Sequence, residues 1–449
     1  TDDTGLGGTY GYGLSVTSGD LDNNGYPDIY VSNDYTEPDY LWMNNGDGTF
    51  TNKVKEATGH ISLFAMGGDI SDFNNDGMED IFITEMLSRD YKRSKTNMGT
   101  MSTDRFELII KEGFHRQYMH NSLQLNLGNG HFSEVSQLAG LSKTDWSWAC
   151  FLTDFDNDGL RDAFVSNGYR RDVLDRDSAK KRQAYLKKNN DYIPDLNEFL
   201  KLTPVNKAVN CIYKNKDGYR FDDKSQQWGM THPSFSNGAA FADLDNDGDL
   251  DLVLNNFEEP AFIYRNNAEK LKRNYLRIKL QGPKGNPHGI GSKITVKYSG
   301  QQQFEEFKTT RGYLSSVEPI AHFGFDENIK IDSVVIVWPD RTIQTLTQPK
   351  VNTRLTINKK SEINNATSIA TENKLFSINT NFNPTSSHIE NDYSDFDRES
   401  LLMTMHSNDG PACCTGDINN DGLLDFFIGG SSGEKGQLFL QKPNGIFTE

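Results

Sequence analysis

The sequence predicts an all-β protein built from repeated four-stranded sheets, with a smaller β module set among the repeats. Three observations carry this expectation. A nine-residue Asp/Asn/Gly pattern returns five times, a short apolar run follows each copy, and Asn-Gly or Asp-Gly hairpin signals recur further on. At 449 residues the chain is too long for one ordinary core, which suits a series of repeats. Aromatic residues make up 11% against an apolar share of 35%, and 39 glycines supply turns, so many short strands are expected rather than a solvated coil.

The repeated pattern is D-x-[DN]-x-[DN]-G-x-x-D. Its copies begin at Asp20, Asp72, Asp154, Asp243 and Asp417. A hard cation takes six to eight oxygens, and alternate residues of a tight loop can aim carboxylates or amide oxygens at one centre. Positions 1, 3 and 5 do so: Asp20, Asp22 and Asn24; Asp72, Asn74 and Asp76; Asp154, Asp156 and Asp158; Asp243, Asp245 and Asp247; Asp417, Asn419 and Asp421. Glycine at position 6 permits positive φ. The carbonyls of Tyr26, Met78, Leu160, Asp249 and Leu423 and the carboxylates of Asp28, Asp80, Asp162, Asp251 and Asp425 can then close the shell. The expected ion is Ca2+, at up to five sites, because Mg2+ demands a rigid octahedron and keeps its waters. An EF-hand needs a bidentate Glu at position 12, where this chain has Val31, Ile83, Val165, Leu254 and Ile428. Hairpin turns without an ion are the alternative reading of the pattern.

The runs after the loops, such as Ile81-Phe82-Ile83 and Ala163-Phe164-Val165, read as strands buried on both faces. Small apolar segments before them, such as Gly238 to Ala242, read as a first strand packed closely on its neighbours. Outer hairpins are marked by Gly46-Asp47-Gly48, Gly128-Asn129-Gly130, Asp217-Gly218 and Asn444-Gly445. Two inner strands joined by the loop, with an outer hairpin, make a four-stranded blade.

These residues resemble the FG-GAP repeats, also called VCBS repeats, of integrin α-subunit heads and bacterial surface proteins. The resemblance implies a β-propeller with its calcium loops on one face. It covers residues 1–270, which hold four loops, and 373–449, a further blade cut short at Glu449. Residues 271–358 resemble the ASPIC/UnbV module of cartilage acidic protein and its bacterial relatives. The residues that carry this are His288 to Val296, Arg311 to Ser316, His322-Phe323-Gly324 and Val335 to Asp340. β-branched runs at Lys293 to Tyr298 and Ser333 to Trp338 predict an all-β module independently. The overall order is similar to that of large cell-surface proteins of Bacteroidetes, and the true termini are expected to lie outside this sequence.

Widened spacing between the loops places insertions near residues 89–117 and 170–204. The second contains Ala179 to Lys188, a short helix with a basic face that stops before Pro194. Residues 359–372 read as a linker.

The formal charge of −17 excludes a nucleic-acid footprint, since phosphate binding requires clustered Lys and Arg. No apolar run is long enough to span a bilayer. The four cysteines show neither zinc spacing nor a disulfide framework, and Cys413 and Cys414 are expected to be buried. No H-E-x-x-H, G-x-S-x-G or phosphate loop is present, and His120, Trp146 and Trp148 are read as blade packing. The expectation is a calcium-loaded binding or scaffold module, extracellular or at a cell surface, associated with a bacterial outer membrane. Its partners would be protein, peptide or glycan, with outer-membrane transporter or secretion components among them. A glycan-degrading hydrolase or lyase, with acid and base carboxylates in a central pocket, is the alternative.

Overall fold

Each Asp-rich loop joins the first and second strands of an antiparallel sheet, as the apolar run behind it requires. The computed structural model of the chain describes residues 2–7, 11–97, 108–128, 130–327, 329–360, 411–431 and 433–448. The chain divides into two compact units, Thr1–Ala370 and Thr371–Glu449. The expected linker beyond residue 360, residues 373–410 of the last repeat block and residues 98–107 of the first insertion lie outside the described residues.

The first unit holds four blades in chain order. Blade 1 comprises Tyr12–Gly19, Asp28–Asp34, Tyr40–Asn44 and Phe50–Asn52. Blade 2 comprises Gly68–Ser71, Asp80–Ile83, Ser122–Asn126 and Phe132–Glu134. Blade 3 comprises Ser147–Thr153, Asp162–Asn167, Cys211–Asn215 and Phe221–Asp223. Blade 4 departs from the expected four strands: it has Ser236–Ala242, Asp251–Asn256 and Phe262–Tyr264, then leaves through a short 3-10 turn at Ala268–Leu271.

The second strands of blades 2 and 3 are buried at every position, which accounts for their unbroken apolar runs. The first strands of consecutive blades pack on one another, blade 1 on 2, 2 on 3 and 3 on 4. Small residues permit this approach. A Cβ on Gly67 would lie 2.0 Å from the carbonyl oxygen of Trp148 in the next blade. No strand pairing joins the four sheets into a closed ring among the described residues.

A recurrent asparagine at or just past the end of the third strand staples blades 2, 3 and 4 to the loop of the blade before. Asn126 Nδ2 of blade 2 donates to Leu21 O at 2.7 Å, Asn215 Nδ2 of blade 3 to Phe73 O at 2.9 Å, and Asn266 Nδ2 of blade 4 to Phe155 O at 2.7 Å. Each acceptor is the carbonyl at position 2 of the preceding loop, so loop order and blade order are fixed by the same side chain.

Residues 274–358 form two further sheets. In one, Asn274–Gln281 lies between antiparallel Ala321–Phe325 and parallel Thr353–Asn358. In the other, Lys293–Tyr298 lies between Gln301–Glu306 and Ile331–Val337, with Ile343–Thr347 outside. Alternating inward residues of both, including Leu276, Ile278, Ile294, Val296, Phe323, Val334 and Ile336, share one core.

The segment between Phe307 and Val317 leaves this module and runs along the first strands of the blades. Gly312 and Gly68 exchange backbone hydrogen bonds of 3.0 and 3.3 Å. Ser15 Oγ of blade 1 donates to Gly312 O at 3.2 Å, and Ala239 N of blade 4 donates to Ser315 Oγ at 3.1 Å. Arg311 reaches between blades 2 and 3, donating from Nε to Asp69 Oδ1 at 2.7 Å and from Nη2 to Leu152 O at 2.9 Å. One segment thus binds the first strands of all four blades.

The basic helix runs from Arg176 to Lys188, starting three residues before the predicted stretch because Asp175 caps it by accepting from Ser178 N at 2.6 Å. A second helix, Leu196–Lys201, follows Pro194 and was not expected. In the second unit, Cys413–Gly416, Asp425–Ile428, Gln437–Gln441 and Phe447–Thr448 pair consecutively as blade 5. Cys413 and Cys414 are exposed there, not buried as expected, because among the described residues of the second unit no other sheet packs on the first strand that carries them. Cys150 and Cys211 are buried.

Candidate metal centres

Backbone geometry is the same in all five loops. Position 6 has φ of 89° at Gly25, 87° at Gly77, 90° at Gly159, 96° at Gly248 and 83° at Gly422. Position 4 is left-handed as well, from 56° at Asn420 to 61° at Asn246, with Asn23, Asn75 and Asn157 between them. Asparagine tolerates this region better than other residues with a side chain, which explains its presence at position 4 of every copy.

The side chains follow a shared scheme. The position 1 carboxylate accepts from the position 6 N–H, at 2.8 Å for Asp20, 2.9 Å for Asp72, 2.7 Å for Asp154, 3.2 Å for Asp243 and 2.9 Å for Asp417. The position 5 oxygen accepts from the N–H of position 7, at 2.8 Å for Tyr26, 2.9 Å for Met78, Leu160 and Leu423, and 3.3 Å for Asp249. Position 9 is a brace. Its Oδ2 accepts from position 2 and its Oδ1 from the third strand, as when Asp162 takes Phe155 N at 3.1 Å and Asn215 N at 2.9 Å. Asp28, Asp80, Asp251 and Asp425 repeat this pairing. A carboxylate oxygen accepting one N–H still has a second lone pair to offer an ion.

Carboxylate oxygens of Asp20, Asp22 and Asp28 lie within 4.8 Å of one another, as do those of Asp154, Asp156 and Asp162, and those of Asp243, Asp245 and Asp247. Such crowding resists ionisation when no cation is present. Burial, and then the charges of Asp22 and Asp20, raise Asp28 to about 7. Burial raises Asp72 to about 6, and burial with Asp158 and Asp156 holds Asp154 well above the carboxylate range. Asp20 Oδ1 is buried with no hydrogen-bond partner. An all-oxygen donor set with clustered negative charge and an unsatisfied buried acceptor fits a hard divalent cation. At position 7 of loop 4, the Asp249 carboxylate turns to accept Glu269 N at 3.0 Å.

Sequence reading missed the position 4 asparagines, although all five are visible in the repeat. It also missed the residues one place before the third-strand brace, Lys214 and Arg265, which approach loops 3 and 4. Trp146 and Trp148 pack as expected, Trp146 stacking on Tyr169 at 3.9 Å and Trp148 donating from Nε1 to Gly168 O. Three carboxylates near the first strands are paired with basic side chains: Asp69 with Arg311, Glu79 with Lys308, and Glu318 with Arg277.

Blades with these loops, joined to a two-sheet β module, define the class. The chain carries FG-GAP-like repeats, matched at residues 20–83 and 113–165, and an ASPIC and UnbV domain, matched at residues 282–364. Among curated proteins it is 26% identical over 345 residues to Cartilage acidic protein 1 of Xenopus tropicalis, covering 75% of this chain and 43% of that one. It is 25% identical over 338 residues to Cartilage acidic protein 1 of Homo sapiens, covering 74% and 41%. The chain therefore spans less than half the length of these relatives. A solved structure of a lectin from Agrocybe aegerita, described as recognising non-reducing terminal N-acetylglucosamine, overlaps 98% of this chain and 80% of that one. Its identity is 11% and its TM-score 0.27, an overlap too weak to carry an argument. No helix among the described residues is long and apolar enough to cross a membrane.

Proposed function

We propose that this chain is a calcium-dependent binding or scaffold module of an extracellular or cell-surface protein. The observation that carries this reading is the shared turn geometry and position 1 and position 9 bracing of the five loops, each placed between the first two strands of a blade. In the loop reading, the ligands are the side chains at positions 1, 3, 5 and 9 and the carbonyl at position 7. Extracellular modules of this kind bind calcium with dissociation constants of about 10⁻⁴–10⁻³ M, which matches an extracellular medium and not the cytosol. The FG-GAP-like repeats and the cartilage acidic relatives support the same location.

Partners would be protein, peptide or glycan held by the loops between strands, with outer-membrane transport or secretion components among the candidates. A cavity of about 410 Å3 between blades 3 and 4, lined by Phe155, Trp228, Met230, Leu252, Tyr264 and Arg265, has the size and mixed lining of a ligand cleft. The test is calcium titration of the chelator-stripped chain with thermal melting alongside. Calcium should raise the melting temperature saturably, since each site bound only in the folded state adds about 1.4 kcal/mol at ten times its dissociation constant. An unchanged melting temperature across millimolar calcium would remove the basis for this function.

A further inference from the structure

Positions 3 and 5 form the outer rim of each loop, and the five rims are of two chemical kinds. In loops 1, 2 and 5 the rim is one Asp and one Asn. The amide bridges to the carboxylate: Asn24 Nδ2 to Asp22 Oδ2 at 3.1 Å, Asn74 Nδ2 to Asp76 Oδ2 at 2.9 Å, and Asn419 Nδ2 to Asp421 Oδ2 at 2.9 Å. In loops 3 and 4 both rim residues are Asp, and a cation from the third strand bridges them instead. Lys214 Nζ hydrogen-bonds both Asp156 Oδ2 and Asp158 Oδ2. Arg265 donates from Nε to Asp245 Oδ2 at 2.6 Å and from Nη2 to Asp247 Oδ2 at 2.9 Å.

Register makes the comparison strict. The residue after each bridging position gives its N–H to the position 9 Asp, as Asn44, Asn126, Asn215, Asn266 and Gln441 do. The equivalents of Lys214 and Arg265 are therefore Met43, Leu125 and Leu440 in blades 1, 2 and 5. A basic residue stands at this position only where the rim has two carboxylates. Counted over positions 1, 3, 5 and 9, loops 1, 2 and 5 hold three carboxylates and loops 3 and 4 hold four, so the third-strand cation offsets the extra rim carboxylate of loops 3 and 4.

Other basic side chains do not sort the loops this way. At position 1, Lys293 pairs with Asp20 in loop 1 and Arg277 with Asp243 in loop 4. Arg273 is a second cation at the loop 3 rim, 2.8 Å from Asp156 and 3.9 Å from Asp158, and adds to the hold of Lys214 there. Arg161 hydrogen-bonds the carbonyl of Asp72 in loop 2, and its charge also favours the ionised Asp72 carboxylate.

We propose that Lys214 and Arg265 are tethered counter-cations that occupy the rims of loops 3 and 4 in place of a divalent ion, so that calcium dependence is concentrated in loops 1, 2 and 5. The inference rests on the calcium reading of the loops. An Asn rim accepts an ion by releasing neutral amide hydrogen bonds, with no charge to expel. A Lys or Arg rim must first expel a positive charge already bound to the two oxygens the ion needs. The effect is larger in loop 3, where Lys214 is 25% exposed, than in loop 4, where Arg265 is 56% exposed and screened by solvent.

The test is peptide-resolved hydrogen exchange on the full chain, in chelator and in millimolar calcium, with calorimetric titration of wild type, Lys214→Met and Arg265→Leu. These substitutions place in blades 3 and 4 the residue types already present in blades 1 and 2. In wild type, calcium should protect loops 1, 2 and 5 while loop 3 is already protected in chelator. Lys214→Met should expose loop 3 in chelator and make its protection calcium-dependent, with affinity at that loop rising about tenfold or more. Arg265→Leu should act in the same direction and less. Lys214→Met combined with Asp156→Asn rebuilds an Asp/Asn rim of the loop 2 kind and should give the same calcium-dependent protection, which covers the case in which the unbalanced single variant does not fold. Equal protection of all five loops in wild type, unchanged in both loop 3 variants, overturns the proposal while leaving the calcium reading intact. No response at any loop in any protein overturns the calcium reading, and this inference with it.

Discussion

Replacing Asn215 by Ala tests whether the third-strand asparagines hold the blades together. Its side chain makes three buried hydrogen bonds: Nδ2 to Phe73 O at 2.9 Å in the neighbouring loop, Nδ2 to Arg161 O at 3.0 Å, and Oδ1 from Gly218 N at 2.9 Å. The backbone N–H that braces Asp162 is untouched by the substitution, so strand pairing and the loop brace survive. Each lost bond is worth about 1 kcal/mol net, and a buried carbonyl or N–H left without a partner costs about 1–3 kcal/mol more, so a total loss of about 3–5 kcal/mol is expected. Asn44 is the internal control. It occupies the same register in blade 1, where its side chain makes an exposed bond to Pro27 O at 3.1 Å and accepts one from Gly46 N at 3.0 Å, both within its own blade. Asn44→Ala should cost about 1 kcal/mol. Urea unfolding of both variants in saturating calcium supplies the comparison. Equal shifts of the two midpoints would show that the staple contributes nothing beyond a local turn, and blade order would then have to be set by other contacts.

Two other perturbations probe the module segment and the interior. Arg311→Met should destabilise the first unit by about 3–5 kcal/mol, because it strands the fully buried Asp69 carboxylate, and Asp69→Asn in the same chain should recover part of that loss in equilibrium unfolding. Acid should act through His322, whose imidazole is pushed down to about 3 by burial and then by Arg277. Below the ordinary value near 6.5 the unfolded chain takes up a proton that the folded chain refuses, so this contribution is present above pH 6.5 and is lost as pH falls toward 3, amounting to about 2–3 kcal/mol at pH 4.5. Urea midpoints at pH 7 and 4.5 should therefore separate more for wild type than for His322→Gln.

Much of the blade was legible because its signals are local. Glycine at position 6, alternating oxygens and the apolar run after position 9 each follow from backbone geometry within one loop, and all five copies share them. Blade 4 lost its fourth strand for a reason no local pattern carries: after Arg265 the chain is diverted into the next module. Cys413 and Cys414 read as buried because the small residues around them match first strands elsewhere, yet burial of a first strand comes from a neighbouring blade. The roles of Lys214 and Arg265 were hidden for a related cause. Each lies 56 or more positions from part of the rim it serves in blade 3, or beyond a second strand in blade 4, and only the register set by the position 9 brace brings it there. Arg311 stands out in the sequence only as part of the family resemblance, since its partner Asp69 lies 242 residues away.

The same geometry makes neighbouring loops interdependent. Asn75 Nδ2 at position 4 of loop 2 donates to Gly159 O at 2.8 Å, at position 6 of loop 3, and Asn157 Nδ2 of loop 3 donates to Gly248 O at 3.1 Å in loop 4. In the opposite direction, Asn215 and Asn266 bind the position 2 carbonyls of loops 2 and 3. Loop 3 is thus gripped from both sides through the backbone atoms flanking its oxygens, and loops 2 and 4 from the loop 3 side. Whatever orders one loop, a divalent ion or a tethered lysine, reduces the freedom that the next must lose to adopt the same left-handed turns. A loop that keeps its own cation, as proposed for loop 3, then stands as a fixed point beside loop 2, whose order depends on the medium. On that proposal the paired carboxylates of blades 3 and 4 are not redundant copies of an ion site: they keep these two blades in register when calcium is scarce.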